Sequence, residues 1–177
     1  VVKSVIVLLT QQAKNYKLFN CRSSLVSVDV SQLNSDRRDE SHDKLHTLIE
    51  TRTETLSLYN QIISMRPFNP EDGLSILLEE FCEALVDYTA SAHFQLYRFL
   101  VDGSERRESV KDIANQVYPA ISKVTDFIIQ FNEKYDGEKD SLILTNLDND
   151  LSVLGEALAD RISNEDQIIA AFRAAKI

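Results

Sequence analysis

Between residues 74 and 99 the apolar positions recur at steps of three and four. Leu74, Leu77, Leu78, Phe81, Leu85, Tyr88, Ala92, Leu96 and Phe99 fall on one face of a helix. At about 100° per residue, Glu83, Asp87, Ala90, Phe94, Tyr97 and Arg98 gather on the opposite side. Two readings of that second group stand. It is an exposed binding surface of acid and aromatic residues, or it is more core beneath a further helix.

The flanking segments also read as helices. Residues 41–65 carry an irregular apolar face of Leu45, Leu48, Ile49, Leu56, Tyr59, Ile62 and Ile63, and Pro67 lies where that helix must stop. Asn69-Pro70-Glu71-Asp72 reads as the start of the second helix, with an asparagine cap, proline at the first helical position and acids against the dipole. Asp102-Gly103 reads as its end. A third helix spans 109–135, with a kink expected between Val117 and Pro119, and Asp136-Gly137 forms a turn.

Leu144, Leu147, Leu151, Leu154, Leu158 and Ile162 give the fourth helix a heptad-like stripe. Gly155 within it predicts close approach of a neighbouring helix. Ser163 and Asp166 resemble a capping box opening a last short helix through Phe172. The expected fold is all-α: an antiparallel four-helix-bundle-like domain with a kinked third helix and a short C-terminal helix. Residues 5–9 and 25–30 are instead β-branched and find no partner strand later on. The chain also opens on valine rather than methionine. The expectation is a helical domain over 39–177 preceded by an extension, 1–38, that is flexible or not native.

Charge narrows the function classes. A formal net charge of −9 repels phosphate backbones, so direct nucleic-acid binding is not expected. Such a chain attracts basic proteins, though acidity also serves solubility alone. Cys21 and Cys82 suggest neither a disulfide framework nor a zinc site. No apolar run approaches membrane-spanning length and no signal peptide is evident, so a cytoplasmic protein without a membrane partner is expected.

Motifs for catalysis are missing. There is no P-loop, dinucleotide fingerprint or nucleophile elbow. A calcium loop begins at Asp148 and Asp150, but Val153 and Ala159 stand where a turn glycine and a bidentate acid are needed. His42, His46 and Glu50 share a helix face that presents a poor tetrahedron, and a solvated polar face is the expected reading. His93 flanks the main stripe, where a histidine more often hydrogen-bonds a neighbouring helix than catalyses. The expectation is a binding protein without catalysis, metal, cofactor or small-molecule substrate.

Phe81-Cys82, Leu85-Val86-Asp87-Tyr88, Ala92-His93-Phe94 and Tyr97 together resemble the signature helix of the Rsd/AlgQ family, the regulators of sigma D. Tyr118-Pro119 is similar to that family's aromatic–proline pair. Leu151 through Arg161, followed by Glu165-Asp166, resembles its fourth helix and the start of its last. The likeness runs from about Arg52 to the C-terminus. The family usually carries an aspartate and a tryptophan ahead of the arginine matched by Arg52; here His46 and Leu48 stand at those positions.

Membership would imply a bacterial anti-sigma protein, a helical bundle that captures the primary sigma factor of RNA polymerase. It would engage the C-terminal sigma domain, a basic helix-turn-helix module reading the −35 element. The candidate partner-binding residues are then Asp87 as an ion-pair partner, Phe94 as an apolar anchor, and Tyr97 and Ala90 beside it. Arg52 and His93 follow mainly from the resemblance. The alternative is a helical adaptor for a different basic or metabolic protein.

Overall fold

The structure is a computed structural model that describes residues 33–69, 72–98, 103, 105–136 and 141–174. Among these described residues there are four helices in chain order, α1 (Leu33–Ser64), α2 (Leu74–Ala92, prolonged by a π-helical turn, His93–Tyr97), α3 (Glu108–Tyr135) and α4 (Ser141–Ala174). No strand occurs among the described residues. The expected all-α architecture is the observed one. The β-like segments 5–9 and 25–30, with Cys21, Pro70, Glu71, Phe99, Asp102 and Gly137, lie outside the described residues, as do the side chains of His42 and Leu144.

Each neighbouring pair runs antiparallel, and cross-helix contacts show it directly. Thr55 Oγ1 donates to the Ala84 carbonyl, and Tyr59 packs on Phe81, so α1 and α2 run in opposite directions. Phe81 meets Phe131 edge-on while Tyr97 meets Tyr118, which sets α2 against α3. Arg161 reaches Thr125, and Tyr135 reaches Asp150, across α3 and α4. Arg52 to Asp166 and Tyr59 to the Leu151 carbonyl close the ring between α4 and α1.

The inner stripe of α2 is the centre of the core. Leu74, Leu78, Phe81, Leu85, Tyr88, Ala92 and Leu96 are buried, as are Leu147, Leu151, Leu154 and Leu158 opposite them on α4. Cys82 is buried and unpaired, and burial pushes its thiol up to about 12, so it behaves as a small apolar group. Leu48, at the position where the family carries tryptophan, is fully buried. That departure therefore concerns packing. Gly155 does admit a neighbour: a Cβ there would overlap the Tyr59 ring and hydroxyl.

The observed boundaries differ from expectation in three places. Helix α1 begins at Leu33, ahead of residue 41 and before the 38/39 boundary. The second helix starts at Leu74, and not at an Asn69 cap; Gly73 takes the N-cap position in the left-handed region at φ 78°, accepting from the amides of Ile76 and Leu77. There is also no separate C-terminal helix. Helix α4 runs unbroken through Ser163, because no glycine or proline interrupts it there and its next turns are held by burial of Arg161, Glu165 and Ile168. Helix α3 continues through the exposed Pro119 to Tyr135.

Leu85→Ala, which removes a fully buried side chain, should lower stability by about 2–5 kcal/mol. Phe94→Ala, on the outer side of the same helix, should change it far less. Chemical denaturation of the two variants beside the parent measures both.

Candidate functional site

Helix α2 is held to the core along one side, which leaves its other side as a firm outward-facing surface. Glu83 and Asp87 are exposed there, Ala90 is half-buried, and Phe94 is 45% exposed. The stripe is thus exposed, and not covered by a further helix, as far as Phe94. Arg98 is exposed beyond it.

Tyr97 is a correction. It was expected beside Phe94 on the surface, but it is only 2% exposed and belongs to the core. The π-helical turn His93–Tyr97 rotates it further inward, from a position that already borders the buried Val86 in the helical count. A π turn spends an extra residue, so positions after it lag the α-helical phase by about a quarter turn. That lag carries Tyr97 from the edge of the outer stripe to the inner one. His93 is likewise buried, at 8% exposure, with its ring edge-on to Phe94 at 5.4 Å between centroids.

Beneath this turn lies a group of charges and hydroxyls that the sequence reading did not bring together. Glu165 on α4 is fully buried. Its Oε2 accepts from the Tyr88 hydroxyl at 2.7 Å and from Arg52 at 3.0 Å. Its Oε1 accepts from the Tyr97 hydroxyl at 2.9 Å and from Arg161 Nε at 2.8 Å. Arg161, 1% exposed, also donates to Thr125 Oγ1 and lies over the Tyr88 ring. Arg52 extends outward to a second acid, Asp166, at 2.7 Å.

Two cations and two anions are therefore matched within one cluster. Despite the opposing effect of burial, Arg52 and Arg161 are held above the ordinary guanidinium value by the neighbouring carboxylates. The Tyr88 and Tyr97 hydroxyls are pushed upward, first by burial and then by the Glu165 charge, so both remain donors. A signal was present in the sequence: counting on from Leu151, Leu154 and Leu158 in steps of three and four lands on Arg161 and Glu165. Ionic residues in an apolar stripe mark a buried pair.

The predicted site residues thus separate into two layers. Asp87 and Phe94 face outward with Ala90 between them, whereas Tyr97, His93 and Arg52 sit within or beside the buried cluster. His46 is exposed and lies 3.2 Å from Glu50. Among the described residues no three His, Cys, Asp or Glu side chains gather in a way that holds a metal ion. A cleft of about 520 Å³ between α1 and α4 is lined by Leu56, Tyr59, Gly155, Ile162, Ser163 and Asp166. No helix among the described residues is long and apolar enough to cross a membrane.

The fold defines the class, an all-α bundle of four helices among the described residues. The chain belongs to the Rsd/AlgQ family, whose profile, described as regulator of RNA polymerase sigma(70) subunit, matches residues 29–173. It is similar to the protein named Regulator of sigma D of Yersinia enterocolitica, with 33% identity over 135 residues covering 73% of this chain and 80% of the relative. The Regulator of sigma D of Pectobacterium atrosepticum is 31% identical over 134 residues, covering 68% of this chain and 82% of the relative. No solved structure matches the chain.

Glu165→Ala should cost about 3–5 kcal/mol, because it strands the buried Arg161 charge and two tyrosine hydroxyls. Replacing Arg161 and Glu165 together by apolar residues of similar volume should cost clearly less, and denaturant melts of the two variants check this.

Burial, and then the nearby Arg161 charge, hold the His93 imidazole below its ordinary value. The unfolded chain consequently takes up this proton first as pH falls through about 6.5. The stability associated with neutral His93 is complete above that pH and declines below it, until the folded imidazole also protonates. His93→Gln should flatten this part of the stability profile between about pH 7.5 and about pH 5.5, measured by thermal melting.

Proposed function

We propose that this chain is an anti-sigma regulator that binds the primary sigma factor of RNA polymerase, chiefly through the C-terminal domain that reads the promoter −35 element. Binding blocks that domain's contacts with core polymerase and promoter DNA, and favours exchange of sigma factors in stationary phase. The observation that carries the reading is the outer face of α2, where Asp87 and Phe94 stand exposed on a helix whose opposite side is anchored in the core. Family membership supports the choice of partner.

The physical logic is occlusion. A domain that reads DNA presents basic groups to phosphates, and a protein of net charge −9 attracts it over distance. Asp87 pairs with an arginine or lysine of that domain, and Phe94 supplies apolar burial at close range. Ala90, one turn before Phe94, keeps the surface between them low enough for a partner side chain to enter. Tyr97, His93 and Arg52 act from behind by holding the turn that carries Phe94. The regulator works stoichiometrically in the cytoplasm, and no cofactor, nucleic acid or small-molecule substrate enters this reading.

Phe94→Ala should weaken binding to purified primary sigma factor by about 2 kcal/mol, close to thirtyfold, with the melting temperature nearly unchanged. Asp87→Ala should lose a similar amount if its partner charge is left buried, and the wild-type association rate should fall from low to physiological salt. Surface-plasmon kinetics at several salt concentrations read both effects. A wild-type protein that fails to bind the sigma factor overturns the reading.

A further inference from the structure

The outer stripe of α2 extends further than its sequence pattern indicated. Ile76, 65% exposed, is the most exposed large apolar side chain among the described residues. It lies on the same azimuth as Phe94, about five turns away and about 27 Å along the axis. Glu80, Glu83 and Asp87 are exposed between them, at steps of four, three and four from Ile76, and Ala90 completes the line to Phe94. At about 100° per residue these six positions fall within an arc of roughly 80°. The face is therefore one continuous strip, with an apolar residue at each end and three carboxylates in the middle.

We infer that Ile76 is a second apolar anchor, and that the partner of this face presents a basic strip flanked by apolar contacts about 27 Å apart. Charge settles the kind of occupant. A second copy of this chain laid antiparallel along the strip would set three carboxylates against three, and nucleic acid or an anionic membrane would be repelled in the same way. A basic protein surface is attracted. A partner that reaches both ends spans about 27 Å, close to the breadth of a small domain.

This inference rests on the sigma-binding reading and adds a second contact region to it, at the N-terminal end of α2, remote from the π turn and the Glu165 cluster. Ile76 has the larger fractional exposure of the two anchors, 65% against 45% for Phe94. Its substitution should act mainly on the dissociation rate, whereas charge reversal in the middle should act mainly on association.

The test measures binding of full-length primary sigma factor to the wild-type chain, Ile76→Ala, Phe94→Ala, and the double variant Glu80→Lys, Glu83→Lys. Ile76→Ala should weaken binding about fivefold or more through faster dissociation, with unchanged melting. The charge-reversed variant should slow association and lose most of its salt dependence. If Phe94→Ala weakens binding while Ile76→Ala stays within about twofold of wild type, the second anchor is wrong and the sigma-binding reading survives. A wild-type chain that does not bind the sigma factor overturns both.

Discussion

One carboxylate holds the four helices in register. Glu165, fully buried on α4, receives donors from Arg52 on α1, Tyr88 and Tyr97 on α2, and Arg161 on its own helix. Arg161 in turn reaches Thr125 on α3. An apolar core tolerates small slips between helices, since one leucine contact is much like the next. A buried charge does not, because any slip that leaves it without donors costs several kcal/mol. The cluster therefore contributes specificity of arrangement more than net stability.

That arrangement accounts for the division of labour at the site. The aromatic and ionic groups that the family signature shares with this chain mostly face inward and fix the second helix, while the residues left outside are few: acids, a small alanine and an exposed phenylalanine. A surface built this way is stiff. Its side chains lose little backbone freedom on meeting a partner, which favours binding by reducing the cost of ordering. In the proposed reading the acids act at long range and the apolar groups at contact, so the same helix face would govern how often a partner arrives and how long it stays.

Much of this was legible in the chain before the coordinates. The inner stripe from Leu74 to Leu96 has a strict helical period and lies in the core, and Gly155 marked the approach of Tyr59. The outer stripe was legible as a group, either exposed surface or further core, and Phe94, early in the π turn, keeps its outward place. The burial of Tyr97 was not legible, because a π turn is a backbone event that leaves no mark in residue type. The start of α2 was misplaced because Asn69 and Pro70 form a strong local cap signal, yet a left-handed Gly73 opens the helix instead. The break expected at Ser163 came from a capping pattern that tertiary burial of Arg161 and Glu165 overrides. The cluster itself needs three dimensions: its members lie up to 114 positions apart in sequence, as Arg52 and Asp166 do.

The π turn has a consequence for anyone who would copy this surface. Its extra residue is sustained by the surrounding protein, where Tyr97 finds Glu165 and Leu96 finds the core. A synthetic peptide spanning 74–98 has neither, and would relax to the ordinary α-helical repeat. In that repeat Tyr97 swings out to stand near Phe94, so the peptide would display an aromatic pair that the folded protein never shows. The outer face of α2 is a property of the whole bundle, and its amino-acid string alone encodes a different one.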